Sequence, residues 1–259
     1  MVDIKSVNLE EEIPYTLSCG ETIIIKPVLV KDWRNVEPCI DILRIIKNDI
    51  GIEEVITMSY LSYMELICTQ GEESKMFSSM LSTVLYYTIL GDETLKMGWG
   101  KVQGKTVLAI TNSENVVLFY ITSQEFNDIK KIILYQNFVD YDEDYAKINL
   151  AIRKAIEKQR AIESKGITIP TLEKQKIYVM GETGFNKDAL NNMTYREFSQ
   201  LYKLKVSMAT YYAKNIIKSG YACTIDGEIK HPLFEKEKTA LEEILVDADS
   251  FKDKVKEAT

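Results

Sequence analysis

Histidine occurs once in this 259-residue sequence, at His231. One histidine cannot build a multi-histidine metal site. Cysteine is sparse too: Cys19, Cys39, Cys68 and Cys223 lie far apart, so no C-x-x-C pair exists for zinc or redox chemistry. Cysteines scattered in this way read as small buried hydrophobes of a reducing compartment. Glycine and proline number only 12 and 5, which argues against an all-β sandwich built on many tight turns. No apolar run approaches the ~18 residues of a membrane-spanning helix. The greasiest stretch, residues 77–90, is broken by Ser78, Ser79, Ser82, Thr83 and Thr88. Near the start, Asp3, Glu10, Glu11 and Glu12 stand where a signal peptide would be apolar. Positive charge is also short, with a net charge of −7 and no basic block. Counterion release therefore offers little binding energy, and neither nucleic acid nor membrane is expected as a partner.

What remains is ordinary material for a packed core, 46% hydrophobic with 27% charged residues. The periodicities predict an α+β fold, mainly helical, with a small antiparallel sheet and a C-terminal β-hairpin. Residues 16–25 read as a first hairpin: Gly20 supplies the turn, β-branched residues crowd the second strand, and Pro27 ends pairing. Asp32 is the expected N-cap of a helix carrying Val36, Cys39, Ile40, Leu43 and Ile46. A second helix is expected over residues 53–69, apolar nearly all round, and a third over 73–90, capped by Gly91. Residues 97–121 turn to a β pattern, a meander with room to pair with the first hairpin.

Thr122 and Glu125 form a capping box that opens the next helix. A polar helix over residues 142–165 follows, with Tyr145, Ile148, Ile152, Ala155, Ile156 and Ile162 turned inward. Short helices are expected at 171–180 and 186–192. A second capping box, Thr194 with Glu197, starts a helix that runs to Lys218, with a break expected near Val206. Asp226-Gly227 marks the closing hairpin, and a charged tail ends the chain. The expected division is 1–138, a connecting helix at 139–169, and 170–259.

Chemical motifs fail when tested. Gly104-Lys105-Thr106 lacks the earlier glycine of a phosphate loop, where Trp99 stands, and leads into a strand. Asp140, Asp142 and Asp144 alternate like a calcium loop, but Tyr145 and Ala151 occupy its glycine and glutamate positions. The glycine-flanked Glu182 reads as a turn, and His231 as structural. No catalytic residue, cofactor or metal is predicted, and the chain reads as a non-enzyme. Tyrosine is abundant, with 15 residues against 8 phenylalanines, paired at Tyr86-Tyr87 and Tyr211-Tyr212. Tyrosine buries area while keeping a polar tip, and it is enriched at interfaces. The candidate partner-binding residues are therefore Met58, Tyr63 and Met64 on the all-round apolar helix, with Tyr211 and Tyr212 as the second choice.

Several phrases occur together: Ile23-Ile24-Ile25-Lys26-Pro27-Val28 before Asp32-Trp33; residues 56–63; Ser123-Gln124-Glu125-Phe126 leading to 133–137; Met193-Thr194-Tyr195-Arg196-Glu197-Phe198; and the 220–231 hairpin. In these the chain resembles tailed-bacteriophage morphogenesis proteins of Gram-positive phages, similar to tail-assembly chaperones or small tail and baseplate components. The resemblance implies a non-enzymatic role, other tail proteins or self-association as partners, and the bacterial host cytoplasm, with the virion as a further location. It carries no catalytic residue. A phage-encoded regulator or inhibitor of a host protein, or an enzyme without a recognisable motif, stands as the alternative.

Overall fold

The computed structural model describes residues 8–163, 165 and 169–219. The class is α+β, mainly helical, with two small antiparallel sheets. The closing part of the expected pattern, the 220–231 hairpin and the tail with His231 and Cys223, lies outside the described residues.

The first sheet pairs β1 (Ile13–Thr16) with β2 (Thr22–Ile25), Thr16 opposite Thr22. Gly20 takes a φ of +94° in the connecting turn, a conformation that a side chain disfavours. The next helix, α1 (Trp33–Ile40), is shorter than its apolar spacing predicts. Pro38 lies inside it, and the chain tightens into a 3-10 turn at Asp41–Arg44. A proline ring clashes with the carbonyl four residues back and removes one helical hydrogen bond, so the regular helix stops. Asp32 holds the N-cap position without a side-chain capping bond.

The expected 53–69 helix is two helices, α2 (Glu53–Thr57) and α3 (Tyr60–Thr69). Met58 and Ser59 are extended between them, and the Ser59 hydroxyl accepts the Ser62 N–H at 3.1 Å. A serine that caps a new helix competes with continuation of the old one. α4 (Ser74–Leu85) then widens into a π-turn at Tyr86–Leu90, where the Tyr86 N–H is shared by the Ser82 and Thr83 carbonyls. Gly91, at φ +65°, closes it.

β3 (Lys96–Val102), β4 (Lys105–Thr111) and β5 (Val117–Ile121) form the second sheet in that order. Gln103 and Gly104 both have positive φ in the β3–β4 turn, so Gly104-Lys105-Thr106 is a hairpin turn entering a strand. The meander and the first hairpin are separate sheets; the expected pairing between them does not occur. α5 (Ser123–Asn137) follows its capping box directly.

The polar 142–165 segment is a 3-10 turn at Glu143–Lys147 and then α6 (Leu150–Glu163), with Asp142 capping the turn. Ile152 and Ile162, expected inward, are exposed, and Arg153 is the buried residue of α6. α7 (Leu172–Thr183) and α8 (Lys187–Asn192) are capped by Thr171 and Asn186. Gly181 to Thr183 finish α7, and Gly184 ends it at φ +74°, so Glu182 belongs to a helix end rather than a loop. α9 (Tyr195–Ser219) passes Val206 without the expected break.

The chain divides into two compact units. Unit 1 is Met1–Tyr141 with Asn186–Ser199, and unit 2 is Asp142–Phe185 with Gln200–Thr259. The linear division at 138 and 169 thus meets a correction: the chain leaves unit 1 near residue 141 and returns to it for residues 186–199. The returning piece is fastened by an antiparallel bridge between Leu29 and Thr194. The Val30 N–H donates to the Met193 carbonyl at 3.0 Å, and the Tyr195 N–H to the Val28 carbonyl at 2.8 Å. Phe198, Leu190, Trp33, Met64, Leu81, Leu108, Ile133 and Phe126 are all buried in this unit.

Candidate protein-contact surfaces

The strongest sequence candidates fare unequally. Met64 is fully buried and Tyr63 nearly so, while Met58 is half-buried at the break between α2 and α3. The all-round apolar character of α3 is therefore the mark of a central helix, covered by the unit's own core. As accessible contact residues, Tyr63 and Met64 are corrected. Tyr212 is 55% exposed and Tyr211 half-buried, their rings edge to face at 5.6 Å on the distal half of α9. Ile216, one turn on, is also exposed. Met58, Tyr63 and Met64 belong to unit 1, and Tyr211 and Tyr212 to unit 2.

A surface that pattern reading passed over lies at the start of β5. Val116, Val117 and Leu118 are 53%, 55% and 46% exposed. β5 is an edge strand, and the ladder slips between Ile110 and Thr111, so that Thr111 faces Val117 and Ile110 faces Phe119. Leu118 is the extra residue of this bulge, which bends the strand and interrupts its pairing. The other edge, β3, carries Lys96 and Lys101, whereas residues 116–121 carry no charge. Charged side chains guard sheet edges against association, and β5 lacks them. The signal was available in the sequence as a six-residue uncharged, β-forming run after Asn112-Ser113-Glu114-Asn115.

Two clefts indent unit 1. One, of about 610 Å³, runs along the seam of α1 and α4, where Arg34 and Cys39 face Ser82, Thr83, Tyr86 and Tyr87. The Asn35 side-chain amide donates to the Tyr87 hydroxyl at 2.8 Å across it. The other, of about 580 Å³, is acidic, with Glu10, Glu11, Glu12, Asp32 and Glu197 among its walls. Glu12 is ion-paired with Lys26 at 3.4 Å, and Glu197 caps Thr194. Among the described residues no three His, Cys, Asp or Glu side chains come together in a way that could hold a metal ion. Asp92 and Glu125 hold their carboxyls below the ordinary range. At Asp92 the cause is hydrogen bonds from Thr94; at Glu125 burial pulls upward, but bonds from Thr122 and Ser18 outweigh it. Both are structural roles. Burial pushes the Cys68 thiol up to about 11, which leaves it protonated and unreactive at neutral pH.

No helix among the described residues is long and apolar enough to cross a membrane. No known protein family, curated protein or solved structure matches this chain.

Proposed function

We propose that the chain is a non-enzymatic protein of phage tail morphogenesis, an assembly chaperone or a tail or baseplate component, acting through contacts with other tail proteins or with further copies of itself. The observation that supports this reading is the uncharged triplet Val116-Val117-Leu118, in solvent at the edge of the three-stranded sheet. Contiguous apolar side chains left in water are a feature of protein contact surfaces. The bulge at Leu118 favours contact through side chains over extension of the ladder. The tail-protein phrases supply the biological setting, the cytoplasm of a Gram-positive host during assembly.

The test is cross-linking of the tagged chain in phage-infected cells, with Leu118→Lys in parallel. Tail proteins should cross-link to the native chain, and at least several-fold less to the variant, whose melting temperature should be unchanged. A single host enzyme as the partner would replace this reading with the inhibitor one. Tail-protein cross-links unaffected by Leu118→Lys would remove β5 as the contact surface.

A further inference from the structure

The distal part of α9, in unit 2, has two faces. Leu204, Met208, Tyr211 and Asn215 recur at helical spacing and are half-buried. Val206, Ala209, Ala213 and Ile216 recur on the opposite face at alternating steps of three and four. All four are exposed, Val206 by 39% and Ile216 by 71%. Steps of this kind make the seam along which two helices pack. α7 meets α9 just before the seam begins: the Tyr178 ring lies against Tyr202, and its hydroxyl donates to the Lys205 carbonyl at 3.2 Å. The surroundings of the seam carry charge of one sign. Lys203 and Lys205 flank its start, Lys214 follows, and no acidic residue occurs between Glu197 and Asp226. The unit also has little core of its own. Among its described residues only Val179 and Arg153 are buried, whereas Ile152, Ile162, Ile177, Val206, Tyr212 and Ile216 are exposed.

We propose that residues 239–251 of the same chain pack along this seam as an amphipathic helix. These residues lie outside the described ones, and their sequence complements the seam. Thr239 precedes Glu242 by three residues, the spacing of the two capping boxes that open α5 and α9. Leu241, Ile244, Ala248 and Phe251 repeat the same steps of three and four. Glu242, Glu243, Asp247 and Asp249 fall between them, with no basic residue from Thr239 to Ser250. An apolar seam therefore meets an apolar seam, and an acidic border meets a lysine border. A second copy of α9 fits worse, because lysines would face lysines in either orientation. The connection is long enough. The 19 residues between Ser219 and Thr239 span up to ~60 Å when extended, and the seam from Val206 to Ile216 is about 15 Å long. This contact does not depend on the one at β5.

The experiment places a photocrosslinker in the full chain, Ile216→p-benzoylphenylalanine, and identifies the captured peptide by mass spectrometry. Capture of a peptide from residues 239–251 is expected. In an equal mixture of 15N-labelled and unlabelled chains, each captured pair should carry a single label. Ile244→Asp should cut capture several-fold, because the contact would bury an unpaired charge. Lys203→Glu with Lys214→Glu should cut it too, and adding Glu242→Lys with Glu243→Lys should restore it. This exchange of charges keeps the result decisive where Ile244→Asp disturbs folding. Capture of other segments only, or capture unaffected by these variants, overturns the proposal. Pairs of mixed label overturn the intramolecular contact and put the tail of a second copy in its place.

Discussion

The Trp33 and Tyr195 rings lie face to face, centroids 3.5 Å apart and planes within 4°. Phe138 meets the edge of Trp33 at 5.8 Å, and Arg44 lies over Phe138. This stack joins the start of α1 to the start of α9, so it seals the returning segment of unit 1. Trp33→Ala should destabilise the protein by about 3–5 kcal/mol in urea unfolding, the range for a large buried aromatic. A double-mutant cycle with Tyr195→Leu should return a coupling of about 0.5–1.5 kcal/mol. Additive effects would mean that the stack contributes only its area.

Glu125 gathers three hydrogen bonds. Its carboxylate accepts the Ser18 N–H at 2.5 Å, the Thr122 N–H at 2.7 Å and the Thr122 hydroxyl at 2.6 Å. Burial alone would raise this carboxyl, but the bonds prevail and lower it. A carboxyl lowered in the folded state contributes stability above its unfolded value, near 4.3, and loses it as the pH falls through the folded one. Wild type should therefore exceed Glu125→Gln in stability at pH 6–7, and the gap should close as acid protonates the native carboxylate. A gap independent of pH from 3 to 7 would assign the effect to shape. Thr122→Ala, at the same cap, should cost ~1 kcal/mol.

Met64 and Tyr212 should respond in opposite ways. Met64 has no exposed surface, so Met64→Ala should cost about 2–5 kcal/mol. Tyr212 is over half exposed, and Tyr212→Asp should stay within about 0.5 kcal/mol. Thermal unfolding of the two variants side by side checks this. A folded, stable Met64→Ala would mean that the centre of α3 repacks freely.

Arg196 caps α5 from a distance in sequence. Its guanidinium donates to the Tyr135 and Phe138 carbonyls, at 2.5 and 3.1 Å. Hydrogen bonds from a charged donor contribute about 1.5–3 kcal/mol, so Arg196→Met should lower stability by that order. Arg196→Lys should recover only part of it, because an ammonium lacks the planar fork.

Local chemistry was legible in the sequence where it acts over a few residues. Both capping boxes, the Gly91 cap and the Gly104 turn each depend on neighbours within about one turn. The misses have a different origin. The break at Ser59 was masked because a serine inside an apolar helix pattern is ordinary until its hydroxyl caps a new start. The shortened α1 carried its signal in Pro38, outvoted by the spacing of Leu43 and Ile46. Met64 and Tyr63 looked like a surface because an all-round apolar helix is equally suited to a core. The return of residues 186–199 to unit 1 is a long-range event, and no short window records it.

That return has a consequence for how the protein comes off the ribosome. Unit 1 is assembled from two stretches separated by 44 residues, Asp142–Phe185, that belong to unit 2. At elongation rates of roughly 5–20 residues per second, its amino-terminal stretch waits several seconds for the piece bearing Tyr195 and Phe198. Until then the face of Trp33 has no lid, and the Val28 carbonyl and the Val30 N–H have no cross-chain partner. The nascent chain thus passes through an obligatory interval in which its own core is open, and co-translational quality control meets it in that form.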